Sequence, residues 1–233
     1  MAEEIRQRLV RVRERIARAA ERAGRKAEDV TLVAVSKTVD SATVQEAVEA
    51  GALDLGENRV QEAATKFSSV HAKGIRWHLI GHLQSNKARM AVPLFDVIHT
   101  IDDSRLALKL DRLAGELGRR PKVLIQVDLA HEPTKSGADE SEVPAIVEAL
   151  DRSRHLEFSG LMVLPPFFES PERTRPYFRR LREMLDGLNC DRAAERRLTE
   201  LSMGMSHDFE VAIEEGATMV RVGTALFGER AAH

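Results

Sequence analysis

Cysteine, aromatic residues and any excess of one charge are scarce in this sequence. The only cysteine is Cys190, so the 233-residue chain can form neither an intramolecular disulfide nor a zinc site built on cysteines. Its 35 basic and 37 acidic residues leave a formal net charge of −2, which gives no electrostatic basis for binding nucleic acid. A lone cysteine fits a reducing compartment, so we expect a cytoplasmic protein.

Long apolar runs and common catalytic motifs are also missing. No segment approaches the roughly 18 apolar residues of a membrane-spanning helix, and no signal-peptide core is present, so no membrane association is expected. The eight histidines are scattered without HxH or HExxH spacing, which predicts no metal site. The chain lacks the GxSxG elbow that many serine hydrolases use.

What the sequence does contain is a regular alternation of short apolar segments with helical segments. Alternation of this kind implies a parallel sheet. Eight such units, in a chain slightly shorter than the roughly 250 residues typical of a (β/α)₈ barrel, favour that barrel over a doubly wound open sheet. We therefore predict an α/β fold, a single-domain (β/α)₈ TIM barrel over residues 1–233, with an extra N-terminal helix within residues 1–25. The predicted strands are 30–37, 53–58, 76–81, 97–102, 122–129 and 156–165, with the last two inside 201–228.

The helices between these strands are predicted from their caps and apolar spacing. The helix after the second strand is expected to extend to about Ala72, and the helix after the fifth strand to begin near Asp139. In the segment 201–228, Ser206 is the expected N-cap of a helix that Gly216 ends. These helix boundaries determine where the loops between strands and helices are predicted.

The segment 201–228 contains two turns from strand to helix. One turn holds Ser206, and the other holds Gly223 and Thr224. Free N–H groups at a helix N-terminus bind phosphate, and barrels often bind phosphate at the loops after strands seven and eight. Either turn alone is explained equally well by close packing of a strand against a helix. Both turns together, at these two positions, predict a phosphate site.

Lys37 directly follows the first apolar strand. Its amine is therefore expected to point out of the C-terminal mouth of the barrel, with a partly desolvated stem. Burial lowers the pKa of a lysine, and a neutral amine can form an imine with an aldehyde. The alternative is a lysine that only extends to solvent or pairs with an acid. A phosphate site across the same mouth favours the imine, because the two features together suit a phosphorylated cofactor that carries an aldehyde.

Arg221 lies within the eighth strand, where a charged group is costly unless it has a partner. It is expected either to form a buried ion pair or to donate to a ligand. Asn58 and His78, at the ends of strands two and three, are candidate ligand contacts, although an N-capping Asn and a satisfied interior His explain them equally well. Lys135, on the loop after strand five, is a candidate electrostatic contributor or secondary site.

Several of these residues fall in sequence blocks that occur together in one known family. The blocks are VSK at 35–37, GEN at 56–58, LSMGMS at 201–206 and VRVGTALFG at 220–228. In this order the chain resembles the pyridoxal phosphate homeostasis proteins (the YggS/PROSC family) over nearly its whole length. The resemblance implies a barrel like the N-terminal domain of alanine racemase, the fold type III of pyridoxal phosphate (PLP) proteins.

The resemblance also implies a role for each site residue. Lys37 matches the lysine that holds PLP as an imine, and Arg221 matches the arginine that faces the pyridine nitrogen. Ser206, Gly223 and Thr224 match the phosphate contacts. Because arginine does not surrender its proton, it would leave the pyridine nitrogen unprotonated, which weakens the ring as an electron sink and disfavours carbanion chemistry.

The function that the resemblance implies is custody of a cofactor. The family is regarded as a carrier and regulator of vitamin B6 that affects amino-acid and keto-acid balance, with no established catalytic activity. We therefore expect a non-enzymatic, monomeric, PLP-binding protein, with PLP-dependent apo-enzymes as candidate recipients of the cofactor.

Two enzymatic alternatives share the same cofactor or lysine chemistry. A PLP-dependent amino-acid racemase needs a second acid–base group, which similar racemases take from a tyrosine on a second, β-rich domain of a partner chain. Here the chain ends soon after the last predicted helix, and its only tyrosine, Tyr177, falls in the helix after strand six. A Schiff-base aldolase acting on a phosphorylated sugar would use a lysine and a phosphate site, but would leave Arg221 without a stated role.

Overall fold

Eight parallel strands form a closed barrel in the computed structural model, which describes residues 2–130 and 136–228. Each strand pairs with the next in chain order, and the last pairs with the first. The predicted (β/α)₈ architecture is therefore confirmed. The strands are β1 Thr31–Val35, β2 Asp54–Glu57, β3 Arg76–Leu79, β4 Val97–Ile101, β5 Lys122–Val127, β6 Glu157–Val163, β7 Glu200–Met205 and β8 Met219–Val222.

A helical layer surrounds this barrel. A helix precedes β1, as predicted, and at least one α-helix follows each of the strands within the described ranges. No helix there is both long and apolar enough to cross a bilayer. The α-helices are α1 Ala2–Arg22, α2 Ser41–Glu49, α3 Val60–Phe67, α4 Ala88–Leu94, α5 Ser104–Glu116, α6 Val143–Asp151, α7 Arg175–Asn189, α8 Phe209–Glu214 and α9 Thr224–Phe227.

The extra helix α1 packs against α2, α8 and α9. Ile5, Leu9, Val12 and Ile16 lie on its buried face, as their spacing predicts. The main apolar core lies between the barrel wall and the helices. Because α1 covers the two helices that follow β7 and β8, it buttresses the outside of the strands that carry the candidate phosphate turns.

The interior of the barrel contains both apolar and polar side chains. Side chains on a strand alternate between the two faces of the wall. Three buried residues, Val97, Leu124 and Met162, form a separate apolar cluster against which Leu164 packs. Buried polar side chains occupy other strand positions, among them His78, His99, Ser202 and Arg221. The residues facing the axis thus divide into an apolar part and a polar part.

Two helix boundaries differ from the sequence-based expectation. Helix α3 ends at Phe67 rather than near Ala72, and α6 begins at Val143 rather than near Asp139. The second difference has a clear cause: the backbone of Ala138 bridges to the end of β5, so the chain is still extended there.

The prediction for Ser206 as the N-cap of its own helix is wrong. Asp208 occupies that position before α8, and its carboxylate accepts a hydrogen bond from the backbone N–H of Met205. Gly216 does end this helical segment, with φ of 105°.

Candidate functional site

A cavity of about 440 Å³ opens at the C-terminal ends of the strands. This is within the range of small-molecule sites, and it is the face of a barrel where functional groups collect. Val35, Ile80, Leu164, Pro165 and Met205 form its apolar lining. Its polar lining is Lys37, Asn58, Ser206, His207, Arg221 and Thr224, together with the backbone of Gly223.

Ser206 joins the two candidate phosphate turns. Its Oγ accepts hydrogen bonds from the backbone N–H groups of Gly223, at 3.1 Å, and Ala225, at 3.3 Å. The serine therefore caps α9, the helix after the neighbouring strand. Both of these N–H groups converge on one oxygen, so the serine hydroxyl lies at the N-terminal end of α9, where the peptide dipoles favour negative charge. The hydroxyl proton is left to donate to a ligand.

Arg221 is almost fully buried yet lines the cavity. Its Nη1 donates to Ser202 Oγ at 2.6 Å, and its Nη2 donates to the carbonyl oxygen of Val163 at 2.9 Å. None of the ion pairs within residues 2–130 and 136–228 includes Arg221, which argues against the ion-pair alternative. Burial lowers the pKa of Arg221 to about 10, offset in part by Asp208, so the guanidinium stays charged at neutral pH.

Behind Arg221, hydrogen-bonded side chains cross the barrel interior toward the N-terminal end of β2. Ser202 Oγ lies 2.8 Å from His99 Nδ1, and His99 Nε2 lies 2.9 Å from His78 Nδ1. His78 Nε2 lies 2.8 Å from Asp54 Oδ1. We call this series, Arg221–Ser202–His99–His78–Asp54, the interior chain.

One assignment of protons satisfies every donor in the interior chain with both rings neutral. Arg221 can only donate, so the hydroxyl oxygen of Ser202 accepts a hydrogen bond from it. The hydroxyl then donates its own hydrogen bond to His99 Nδ1. His99 then donates from Nε2 to His78, and His78 donates from its Nε2 to the carboxylate of Asp54. Burial lowers the pKa of His99 well below its ordinary value, which agrees with a neutral ring.

Lys37 lines the cavity from the turn after β1, the strand that pairs with β8. It is half-buried. The residue after it, Thr38, has φ of 61°, a left-handed conformation that non-glycine residues seldom adopt. The turn that carries Lys37 is therefore held in an uncommon shape.

The remaining predicted site residues, Asn58, His78 and Lys135, have different outcomes in the structure. Asn58 lines the cavity, and it is not an N-cap, because Arg59 holds that position before α3. His78 does not line the cavity: it is fully buried in the interior chain, and both ring nitrogens are engaged. The alternative of a satisfied interior histidine is therefore the one observed. Lys135 lies outside the described residues.

Two features of the site were missed from the sequence. His207 lines the cavity, and its Nε2 lies 3.1 Å from the carbonyl oxygen of Phe168 and 3.0 Å from that of Glu169. Its place beside Ser206 was the only signal. The interior chain was missed because its five members come from five different strands, so no local spacing links them. Within the described ranges, no group of three or more potential ligands forms a metal site.

Comparisons with known proteins agree with this geometry. A family model described as the N-terminal domain of alanine racemase matches residues 8–231. A pyridoxal phosphate homeostasis protein of Aquifex aeolicus is 44% identical over 199 residues, which is 85% of this chain and 86% of the relative.

Solved structures give the same relationships. PipY of Synechococcus elongatus PCC7942, a structure with PLP bound, is 42% identical with a TM-score of 0.85, and the match covers 96% of this chain and 100% of PipY. An alanine racemase of Clostridium difficile 630 is 18% identical with a TM-score of 0.75, over 99% of this chain and 58% of the racemase. At that identity, the likeness to the racemase concerns the fold alone.

Proposed function

The chain belongs to the pyridoxal phosphate homeostasis proteins, within the alanine racemase N-terminal domain family, and we propose that it binds PLP at the mouth of its barrel and takes part in vitamin B6 homeostasis. The observation that carries this proposal is the meeting of three groups around one cavity. They are a lysine from the end of β1, a buried arginine from β8, and the turn of backbone N–H groups that Ser206 caps.

The residues fit PLP group by group. The hydroxyl of Ser206 and the N-terminal turn of α9 suit a phosphate. Arg221 keeps its charge and has five N–H donors, of which Ser202 and Val163 take two, so it suits an acceptor such as an unprotonated pyridine nitrogen. Lys37, from the turn after the neighbouring strand β1, suits an aldehyde.

When bound, PLP supplies an aldehyde that condenses with a lysine amine into an imine and releases one water molecule. In our proposal, Lys37 provides that amine and holds the cofactor reversibly. Ser206, Gly223 and Thr224 bind the phosphate, and Asn58, which lines the cavity after β2, contacts the bound molecule. Lys135 remains a proposed secondary site.

We propose that the protein binds and carries the cofactor without catalytic turnover. Racemisation by two bases needs an acid–base group opposite the lysine. Tyr177 does not line the cavity but packs on Phe168 within the helical layer. His207 does line it, but its Nε2 is within hydrogen-bond distance of the carbonyl oxygens of Phe168 and Glu169, which hold the ring against the loop after β6. Arg221 further disfavours carbanion chemistry by leaving the pyridine nitrogen unprotonated.

The cellular setting is part of the proposal. We propose that the protein acts as a monomer in the cytoplasm, with PLP-dependent apo-enzymes as recipients. The lone cysteine and the balanced charge of the sequence support this setting. An aldolase acting on a phosphorylated sugar is the less favoured alternative, because a sugar phosphate has no ring nitrogen to accept from Arg221.

Absorption spectroscopy tests the proposed covalent anchor. Titration of the purified protein with PLP is expected to produce a visible imine band that is absent from Lys37→Ala. Lys122→Ala is the matched control, because Lys122 lies at the start of β5, at the opposite end of the barrel, and pairs with Glu157 and Glu200. A band that persists in Lys37→Ala would remove Lys37 from its proposed role.

A further inference from the structure

A cluster of charged side chains lies behind the turn that carries Lys37. Lys66, on α3, is only 4% exposed, and its ammonium lies 2.7 Å from both Glu57 Oε1 and Glu62 Oε1. Its third hydrogen bond, at 2.6 Å, goes to the carbonyl oxygen of Ser36. All three protons of the ammonium are therefore used. We call Glu57, Glu62 and Lys66 the turn anchor.

Three contacts join the turn anchor to the residues on either side of Lys37. Lys66 binds the carbonyl oxygen of Ser36, and the hydroxyl of Ser36 donates to Glu57 at 2.7 Å. On the other side, the backbone N–H of Thr38 donates to Glu62. The neighbours of Lys37 are thus fixed from both directions, including Thr38 in its left-handed conformation.

The geometry of the strand explains why the anchor lies behind the wall while Lys37 lies in front of it. Val35 and Lys37 line the cavity. Ser36 lies between them and therefore faces the opposite way, toward the helical layer, where Glu57 and Lys66 are. Glu57 and Asn58, at the end of β2, also face opposite sides of the barrel wall. Asn58 lines the cavity, whereas Glu57 is fully buried behind the wall. The anchor therefore acts on Lys37 through the backbone and has no need to enter the cavity.

The turn anchor is costly to keep buried. Glu57 is completely inaccessible, and its Oε2 has no hydrogen-bond partner. Burial raises the pKa of Glu57, against the opposing effect of Lys66 and Ser36. Apolar side chains of similar size are often at least as stabilising as a buried ion pair, so burial alone does not account for charges at these positions. Their contacts with the turn supply a reason.

We propose that Glu57, Glu62 and Lys66 are positioning residues that hold the Lys37 turn in the conformation from which the lysine amine reaches the aldehyde of PLP. This inference rests on the proposed function. It adds residues outside the cavity that determine how tightly the lysine retains the cofactor.

Binding of two related ligands separates positioning of Lys37 from general support of the mouth. PLP can be linked to Lys37, whereas pyridoxine 5′-phosphate has the same ring and phosphate but an alcohol in place of the aldehyde. Glu62→Ala removes the acceptor for Thr38, and we expect it to weaken PLP binding about 10-fold to 100-fold, because small misplacements of a reacting group have effects of that order. Binding of pyridoxine 5′-phosphate is expected to stay within about 2-fold of the wild type.

Two further variants sharpen the test. Glu62→Gln keeps an oxygen that can accept from both Thr38 and Lys66, so its PLP affinity should stay within about 3-fold of the wild type. Lys66→Met should weaken PLP binding at least as much as Glu62→Ala, while Lys122→Met, at another lysine that pairs with two glutamates, should have no effect. If Lys66→Met does not fold, Glu62→Ala is sufficient for the test. The Glu62 side chain is 25% exposed, so its truncation is expected to be tolerated.

Each outcome has a defined meaning. Unchanged PLP affinity in Glu62→Ala would overturn the positioning role, and so would equal weakening of both ligands, since that would indicate collapse of the mouth. Failure of the proposed function gives a different result: wild type and Lys37→Ala would then bind PLP equally well, with no preference for PLP over pyridoxine 5′-phosphate in either.

Discussion

At the scale of single residues, Arg221 owes its orientation to groups that do not touch the cavity. Its contacts with Ser202 and Val163 hold one edge of the guanidinium. Ser202 is held in turn by His99, His78 and Asp54 in the interior chain. A guanidinium that is fixed before a ligand arrives loses less conformational freedom on binding, so the interior chain preorganises Arg221 for a ligand in the cavity.

His99 gives the interior chain a pH dependence whose sign can be derived. Burial lowers the pKa of folded His99 well below 6.5. Above about pH 6.5 the ring is neutral in both states and adds no slope. Below that pH the unfolded chain binds a proton that the folded chain excludes, so the free energy of unfolding falls by up to about 1.4 kcal/mol per pH unit until the folded pKa is reached.

Urea denaturation at several pH values between about 5 and 8 measures this contribution. His99→Gln should reduce the loss of stability below pH 6.5, whatever its effect on stability at neutral pH. His71→Gln, at an exposed histidine, is the control and should retain the slope of the wild type. The same slope in the wild type and in His99→Gln would show that the buried ring is not the group excluded from protonation.

Individual residues differ in how far the sequence predicted their positions. Lys37 was predicted to reach the mouth because it directly follows a strand, whereas for Arg221, within a strand, the sequence left a buried ion pair and a ligand contact open until the family resemblance favoured the ligand. His78 also follows a strand pattern, but whether a strand residue faces the cavity or lies deeper depends on how far it is from the mouth and on its partners. For His78 the partners are Asp54 and His99, which hold the ring inside the barrel and are distant from it in the sequence.

At the scale of elements, the β7–α8 turn and the start of α9 act as one unit through Ser206. The serine accepts from two backbone N–H groups of the neighbouring turn, which leaves its single proton for a ligand. Gly204, with φ of 90°, allows the strand end to approach α8, since a Cβ there would lie 2.6 Å from the Cβ of Ala212. The turn therefore has both a close-packing role and a candidate binding role.

Ser206→Ala tests the binding role of this turn. It removes a hydrogen bond to a charged ligand and should weaken PLP binding about 10-fold to 100-fold, as measured by isothermal titration calorimetry. Ser153→Ala is the control: its hydroxyl donates to the carbonyl oxygen of Leu150 after α6, outside the mouth cavity, and it should leave the affinity unchanged. Equal affinity for the two variants would assign the turn to packing alone.

Elements were predicted more reliably than their ends. The eight strands and the N-terminal helix follow from apolar periodicity, which a barrel wall buried on both faces imposes directly. The start of α6 was misplaced because a backbone bridge between Ala138 and β5 keeps the chain extended, and no side-chain pattern records such a bridge. The cap of α8 was misplaced because Ser206 serves a different helix, which only the closed barrel brings near.

At the scale of the whole molecule, the barrel brings β1 next to β8 and so unites residues from the two ends of the chain. Lys37 and Arg221 are 184 positions apart in the sequence but line one cavity because the sheet closes. An open sheet would leave them on opposite edges. Closure is thus the feature of the fold on which the proposed cofactor site depends.

The account predicts binding without turnover. The PLP-loaded protein, incubated with L-alanine or D-alanine, should show no racemisation on the scale of ordinary enzymes, about 1 per second or faster. Chiral chromatography of the free amino acid measures it, with a known racemase as the positive control. Turnover at that rate would replace the proposed carrier role with catalysis.

Reductive trapping tests the central claim, that Lys37 holds PLP, most directly. Borohydride reduction of the PLP-loaded protein, followed by peptide mass mapping, should place the pyridoxyl mass on the peptide that contains Lys37, with little elsewhere. The label should disappear from that peptide in Lys37→Ala. A pyridoxyl mass found mainly on Lys135 or another lysine, or a sugar mass trapped from a phosphorylated sugar, would contradict the account.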